Sequence, residues 1–173
     1  TVLDSEGKKV WSYNLGPITY DIATGNFDGD KTRGVVFGAG DGMIHYVDSK
    51  GQARLKFNTG DEVRHVATAD LDGDGREEIL AASDNSYLYC IGADAKVRWA
   101  RHLDSPATAL ATTQVGSTPS VLVGTRDGQL LAFNTKGELV RQSGMGSEIR
   151  QILVEDKAII IATEDGEMLR VGE

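Results

Sequence analysis

Residues 70–78 read Asp70-Leu71-Asp72-Gly73-Asp74-Gly75-Arg76-Glu77-Glu78, which places side-chain oxygens at loop positions 1, 3, 5 and 9 and a glycine at position 6. Alternate carboxylates on a tight turn converge on one side, and this is the ligand spacing of an EF-hand-type calcium loop. Position 7 would add the backbone carbonyl of Arg76. The acid expected at position 12 is absent, since Ala81 stands there. Coordination therefore finishes with Glu78, carbonyls or water. Hard oxygen donors on a flexible loop suit calcium better than zinc or magnesium. The spacing thus predicts a calcium site at Asp70, Asp72, Asp74, Arg76 and Glu78. The alternative is a solvated Asp/Gly turn, which the same residues favour. A weaker copy, Asn26-x-Asp28-x-Asp30-Lys31, puts a lysine where the glycine stood and Gly34 in place of Glu78. The shortened loops Gln114-Val115-Gly116-Ser117-Thr118 and Glu155-Asp156-Lys157 are expected to bind no metal.

Other chemistry is sparse. His45, His65 and His102 show no metal-ligand spacing. Cys90 is the only cysteine, so neither an internal disulfide nor a thiolate cluster can form. It lies in the apolar run Tyr87-Leu88-Tyr89-Cys90-Ile91 and reads as a packed core thiol. Gly38-Ala39-Gly40-Asp41-Gly42 lacks the Lys-Ser/Thr of a phosphate-binding loop and reads as a hairpin. No nucleophile elbow is present. The expectation is a protein that is not an enzyme. Tyr20, Arg64, Arg126 and Arg150 are the candidates for contact at a rim or channel mouth.

The elements that carry these residues recur about every 43 residues. Ala67-Thr68-Ala69-Asp70-Leu71-Asp72-Gly73-Asp74 matches Ala23-Thr24-Gly25-Asn26-Phe27-Asp28-Gly29-Asp30 at five of eight positions, at an offset of 44. The turn Asp41-Gly42 recurs as Asp84-Asn85, Asp127-Gly128 and Asp165-Gly166. One unit reads as four short strands: residues 63–69, 78–82, 87–91 and 97–101. No sustained helical period is visible, and residues 147–151, the nearest exception, occupy a first-strand slot. Four antiparallel strands per repeat of this length make a β-propeller blade. The sequence therefore predicts one all-β domain with blades at 17–60, 61–104 and 105–144. Residues 145–173 and 1–16 would join as a composite fourth blade that leaves no free edge. The alternative is part of a seven- or eight-bladed propeller, because third-strand sequence occurs at both ends, at residues 1–3 and 168–170.

Bulk properties limit the partners. The 173 residues carry a net charge of −8 with no basic run, which argues against nucleic acid. No apolar stretch reaches the length of a membrane span. No signal peptide is visible, and Thr1 opens in mid-repeat, as in a mature or trimmed chain.

The strand, the Asp-x-Asp-x-Asp-Gly loop and the strand Glu78-Ile79-Leu80 resemble the FG-GAP/VCBS group of propeller repeats. The later part of each repeat, as in Asp41-Gly42 to Asp48 and Gly51 with Trp11 and Trp99 closing two units, resembles the quinoprotein-like (PQQ-like) repeat. Leu55 and Arg141 replace that tryptophan, so packing between blades should differ there. The resemblance implies an extracytoplasmic, non-catalytic module that binds a protein or glycan on its loop face, with calcium stiffening at least one loop. Such a module would be a monomer if the ring closes. The alternatives are part of a secreted enzyme, either a quinoprotein-type oxidoreductase or a polysaccharide-cleaving enzyme, and an engineered or trimmed propeller piece.

Overall fold

The computed structural model describes residues 1–115, 118–155 and 158–171. Within them the chain is strand and turn, without a helix. A short hairpin, β1 (Val2–Leu3) and β2 (Lys9–Trp11), comes first. The first blade follows as β3 (Thr19–Gly25), β4 (Gly34–Ala39), β5 (Met43–Val47) and β6 (Ala53–Asn58). The second holds β7 (Val63–Ala69), β8 (Glu78–Ser83), β9 (Tyr87–Ile91) and β10 (Val97–His102). The third holds β11 (Ala107–Val115), β12 (Thr118–Thr125), β13 (Gln129–Phe133) and β14 (Leu139–Gly144). Last come β15 (Ile149–Glu155), β16 (Ala158–Thr163) and β17 (Met168–Val171). Every pairing is between sequence neighbours and antiparallel, so each sheet is a meander. The stretch around residues 147–151 is strand, as its slot in the repeat requires.

The blades stack through their inner strands, with β3 against β7, β7 against β11 and β11 against β15. Apolar clusters fill the spaces between blades. Phe27, Val36, Ile44, Tyr46 and Leu55 of the first blade meet Val63, Val66 and Ile79 of the second. β8 is buried at all six positions, as expected of a continuous apolar run in the middle of a packed sheet. Hydroxyls tie the inner strands together at repeat spacing. Thr68 Oγ1 donates to the carbonyl of Thr24 (2.9 Å), and Thr112 Oγ1 donates to that of Thr68 (3.2 Å).

A tryptophan–glycine pair locks two of the outer strands, β2 and β10, to the next blade. Trp99 Nε1 donates to the Thr135 carbonyl (3.0 Å), and its ring lies where a Cβ on Gly137 would come within 2.5 Å. Trp11 repeats this against the Ser49 carbonyl (3.0 Å) and Gly51. The repeat aligns Leu55 with these tryptophans and Ala95 with these glycines. Where the large ring is lost, the opposing residue therefore gains a methyl group, although Ala95 keeps the left-handed φ of 61°. Arg141, the other departure, borders an apolar cavity of about 320 Å³ between the third blade and β15–β17, with Leu122, Leu130, Met145, Ile159 and Val171.

Among the described residues, the segments expected to form a composite blade, 145–173 and 1–16, do not share a sheet. β1–β2 is a separate two-stranded sheet and β15–β17 a separate three-stranded one. The reason is local. β1 already occupies the edge of β2 that β17 would need, and Trp11 anchors the hairpin onto the first blade. No helix among the described residues is long and apolar enough to cross a membrane.

Candidate functional site

The acidic loop joins β7 to β8 and is built on its own amides. Asp70 accepts the N–H groups of Gly73 (2.7 Å) and Gly75 (3.0 Å), which folds the loop around its first carboxylate. Gly73 and Gly75 both have left-handed φ, 79° and 86°, a conformation that side chains resist. Leu71 plugs the loop into the core, and its N–H donates to Glu78 Oε2 at 2.9 Å. Oxygens of Asp70, Asp72 and Glu78 lie within 4.8 Å of one another. Asp74 is not part of that group, and its Oδ1 accepts the Arg76 N–H at 2.8 Å. Burial pushes the Glu78 carboxyl up, and although the Leu71 N–H opposes this, the charges of Asp72, Asp74 and Asp70 add to the rise. Three converging carboxylates that take part in no ion pair among the described residues fit a hard divalent cation.

The weaker copy is assembled differently. Asn26 Oδ1 accepts the Gly29 N–H at 3.0 Å, while its Nδ2 donates to the Gly75 carbonyl at 3.2 Å. Asp28 accepts the Tyr46 hydroxyl (2.9 Å), and Asp30 accepts both the N–H and the hydroxyl of Thr32 (2.9 and 2.7 Å). The cause lies in two substitutions. Gly34 stands where Glu78 would be and Tyr46 where Cys90 would be, and a Cβ on Gly34 would run into the Tyr46 ring. A phenol thus fills the place of the buried carboxylate. Asn26, Asp28 and Asp30 thus each engage a side-chain oxygen in a local hydrogen bond. This loop instead braces its neighbour: Asn26 N–H donates to Glu77 (3.2 Å) and Glu77 N–H to the Asn26 carbonyl (2.7 Å). The two shortened loops turn on residues 116, 117, 156 and 157, which lie outside the described residues.

A second arrangement sits at the opposite end of the inner strands. Each of β3, β7, β11 and β15 carries a register shift at the same place, and the extra residues are Tyr20, Arg64, Thr108 and Arg150. A bulge of this kind re-aims a side chain out of the alternation. Arg64 stacks 4.0 Å over the Tyr20 ring, bonds Asp84 at 2.8 Å and pairs with Glu62. The Tyr20 hydroxyl donates to Glu62 at 2.8 Å, and that bond is the main cause of its raised pKa. Arg150 pairs with Glu148 (3.1 Å) and Glu164 (2.7 Å). Thr108 Oγ1 instead donates to the Ile149 carbonyl at 2.6 Å. Arg126 is exposed on the β12–β13 turn between the two arginine clusters. The sequence reading singled out the arginines and Tyr20 but missed Glu62, Asp84, Glu148 and Glu164. Aligning the repeats at these turns would have exposed the recurring acid–arginine–acid set.

The remaining candidates are dispersed. Buried His45 bonds Asp41 at 3.0 Å, and its Nδ1 has no hydrogen-bond partner. His65 is half-buried, which lowers its pKa, and His102 sits edge-on to Tyr87 with ring centres 5.2 Å apart. Cys90 is buried, and burial followed by the nearby Glu78 charge pushes its thiol up to about 12. It is a core residue and not a nucleophile poised for attack.

Stacked meander blades of this size define a β-propeller. Residues 59–151, just over half of the chain, match the family described as the lambda-carrageenase beta-propeller domain, and the chain belongs to that family. Among curated proteins nothing matches. Solved structures of the same fold include the computationally designed Ika4 protein, at 20% identity and a TM-score of 0.76 over 96% of this chain and 98% of that one. BBS1N, solved in complex with ARL6DN, is 13% identical with a TM-score of 0.81 over 97% of this chain and 56% of that one. BamB from Moraxella catarrhalis is 18% identical with a TM-score of 0.72 over 96% of this chain and 54% of that one. The chain thus spans about half the length of the BBS1N and BamB chains.

Proposed function

We propose that this β-propeller is a non-catalytic, extracytoplasmic binding module that holds a glycan at the bulged mouth of its inner strands, with one calcium ion stiffening the Asp70 loop. The observation that carries the reading is the bulge shared by all four inner strands, which gathers Tyr20, Arg64 and Arg150 with paired carboxylates at one rim. An aromatic face beside bidentate donors and acceptors is suited to the hydroxyl-rich, weakly apolar surface of a sugar. Membership of a family named for a carrageenan-cleaving enzyme supports a polysaccharide as the ligand class. The loop fits the FG-GAP/VCBS pattern read from its sequence. With only three carboxylates converging, calcium binding would be of the weak kind found in extracellular modules, which supports an extracytoplasmic setting.

Binding of polysaccharides by calorimetry tests the ligand. Tyr20→Ala and Arg64→Ala are expected to weaken binding by about tenfold or more while the melting temperature moves little. Retained affinity in both variants would sink the mouth as the site. A second reading, in which the propeller belongs to a polysaccharide-cleaving enzyme, is favoured by the family description, and release of reducing ends from carrageenan by this chain would establish it. A protein ligand is a further possibility, since the BBS1N propeller was solved with a protein partner.

A further inference from the structure

Two aligned spaces between outer strands are filled in opposite ways. Between the first and second blades, Phe57 of β6 and Tyr87 and Tyr89 of β9 pack in a row. The ring centres of Phe57 and Tyr89 are 5.9 Å apart, and those of Tyr87 and Tyr89 5.8 Å. One repeat on, the same three places hold Arg101 of β10 and Gln129 and Leu131 of β13. None of these is aromatic, and a cleft of about 270 Å³ opens between the second and third blades. Both of its walls belong to complete four-stranded sheets.

Apolar and polar groups share the lining. Buried Leu103 and Phe133 line the cleft together with Leu131. Arg101 lines it too, but its guanidinium is committed to the carbonyls of Gly137 (2.6 Å), Ala100 (2.8 Å) and Lys136 (3.0 Å). Gln142 Nε2 donates to Gln129 Oε1 at 3.2 Å, which leaves Gln142 Oε1 as an acceptor and Gln129 Nε2 as a donor with no other partner among the described residues. A sugar hydroxyl both donates and accepts, so a neighbouring amide donor and acceptor match it, while the apolar residues suit the C–H face of the ring. An ammonium ligand would use the acceptors alone and leave the rest idle. Asp104, Asp127 and Glu138 outnumber Arg101 in the lining, so a sulfate is repelled. We infer that this cleft is a second glycan subsite, selective for an uncharged sugar residue over a sulfated one. The choice of a sugar rests on the glycan reading above, whereas the place and the selectivity rest on the cleft. Its lining includes His102, which sits edge-on to Tyr87, and Tyr87 is 38% exposed and offers a stacking face to the next unit of a chain.

Nuclear magnetic resonance of the isotope-labelled full chain tests this, with the uncharged hexasaccharide of agarose and the sulfated one of lambda-carrageenan as probes. The side-chain amide signals of Gln129 and Gln142 should move with the agarose sugar, which should bind about tenfold or more tightly than the sulfated one. Gln142→Ala, at an exposed position, should weaken that binding by about tenfold without moving the melting temperature. Asp104→Lys should raise affinity for the sulfated sugar by about threefold, a gain that no folding defect produces. Tyr20→Ala removes the mouth and should leave the amide shifts in place, so the two sites fail separately. Amide signals that stay still with both sugars, that move equally with ethylammonium, or that stop moving in Tyr20→Ala would overturn the proposal. Equal affinity for the two sugars, or affinities indifferent to Gln142→Ala and Asp104→Lys, would do the same.

Discussion

Glu78 carries the most consequence of any single side chain. It is buried beside three other acids, and its carboxyl is held above the ordinary range. The folded chain therefore binds that proton more tightly than the unfolded chain does. Between the ordinary carboxyl pKa and the raised one, stability falls as pH rises. A bound cation reverses the penalty by favouring the ionised form. In chelator, the melting temperature should drop across this window, and Glu78→Gln should flatten the drop and raise the melting temperature at pH 7. The same substitution should abolish any calcium-dependent gain. A variant that keeps the gain would remove Glu78 from the ligand set. Asp48 works in the other direction. Burial pushes it up, but the amides of Gln52 and Lys50 and the Arg54 guanidinium more than offset this, and its carboxyl is held low. Its contribution is present above the ordinary carboxyl pKa and is lost as pH falls through the depressed value, so Asp48→Asn should lower the melting temperature most at neutral pH and least at acid pH, where the native carboxylate is protonated anyway.

The element that repays engineering is the tryptophan–glycine lock between blades. Gly137 has a left-handed φ of 71° and faces the Trp99 ring too closely for a Cβ. Gly137→Ala should therefore destabilise by more than the ~1 kcal/mol that a left-handed alanine alone costs. Trp99→Ala should cost about 3 to 5 kcal/mol through the cavity it leaves. Ala95→Gly, opposite the smaller Leu55, should be neutral or slightly stabilising because it relieves the left-handed alanine. Denaturant melts of the three variants check the order, and a Gly137→Ala protein as stable as the parent would refute the lock. The tryptophans and their absence at Leu55 and Arg141 were legible in the sequence, because repeats can be aligned by eye. The opposing glycines were not, because they lie 38 and 40 residues downstream and only packing shows which turn meets which ring.

At the scale of the molecule, protection should follow burial. Amides of β8, buried throughout, should exchange slowest, and those of β17 and the β1–β2 hairpin fastest, since both lie at incomplete sheets. Fast exchange of β8 would contradict the stacking described above.

What the sequence determined by itself was local and periodic. Strand positions, hairpin turns, the buried Cys90 and the convergence of Asp70, Asp72 and Glu78 follow from alternation, glycine placement and ligand spacing over a few residues, all of which act within one repeat. Tertiary structure decided what depends on neighbours. It showed that Asp74 turns to the backbone and that Tyr46 fills the place of an acid in the first loop. It placed the carboxylates of two blades around Arg64 and Arg150. It also kept β2 and β17 apart, although the lengths of the two end segments sum to one repeat. Length alone cannot settle closure, because the angle between successive blades is set by side-chain volumes at their interfaces, and those volumes meet only after the chain has folded.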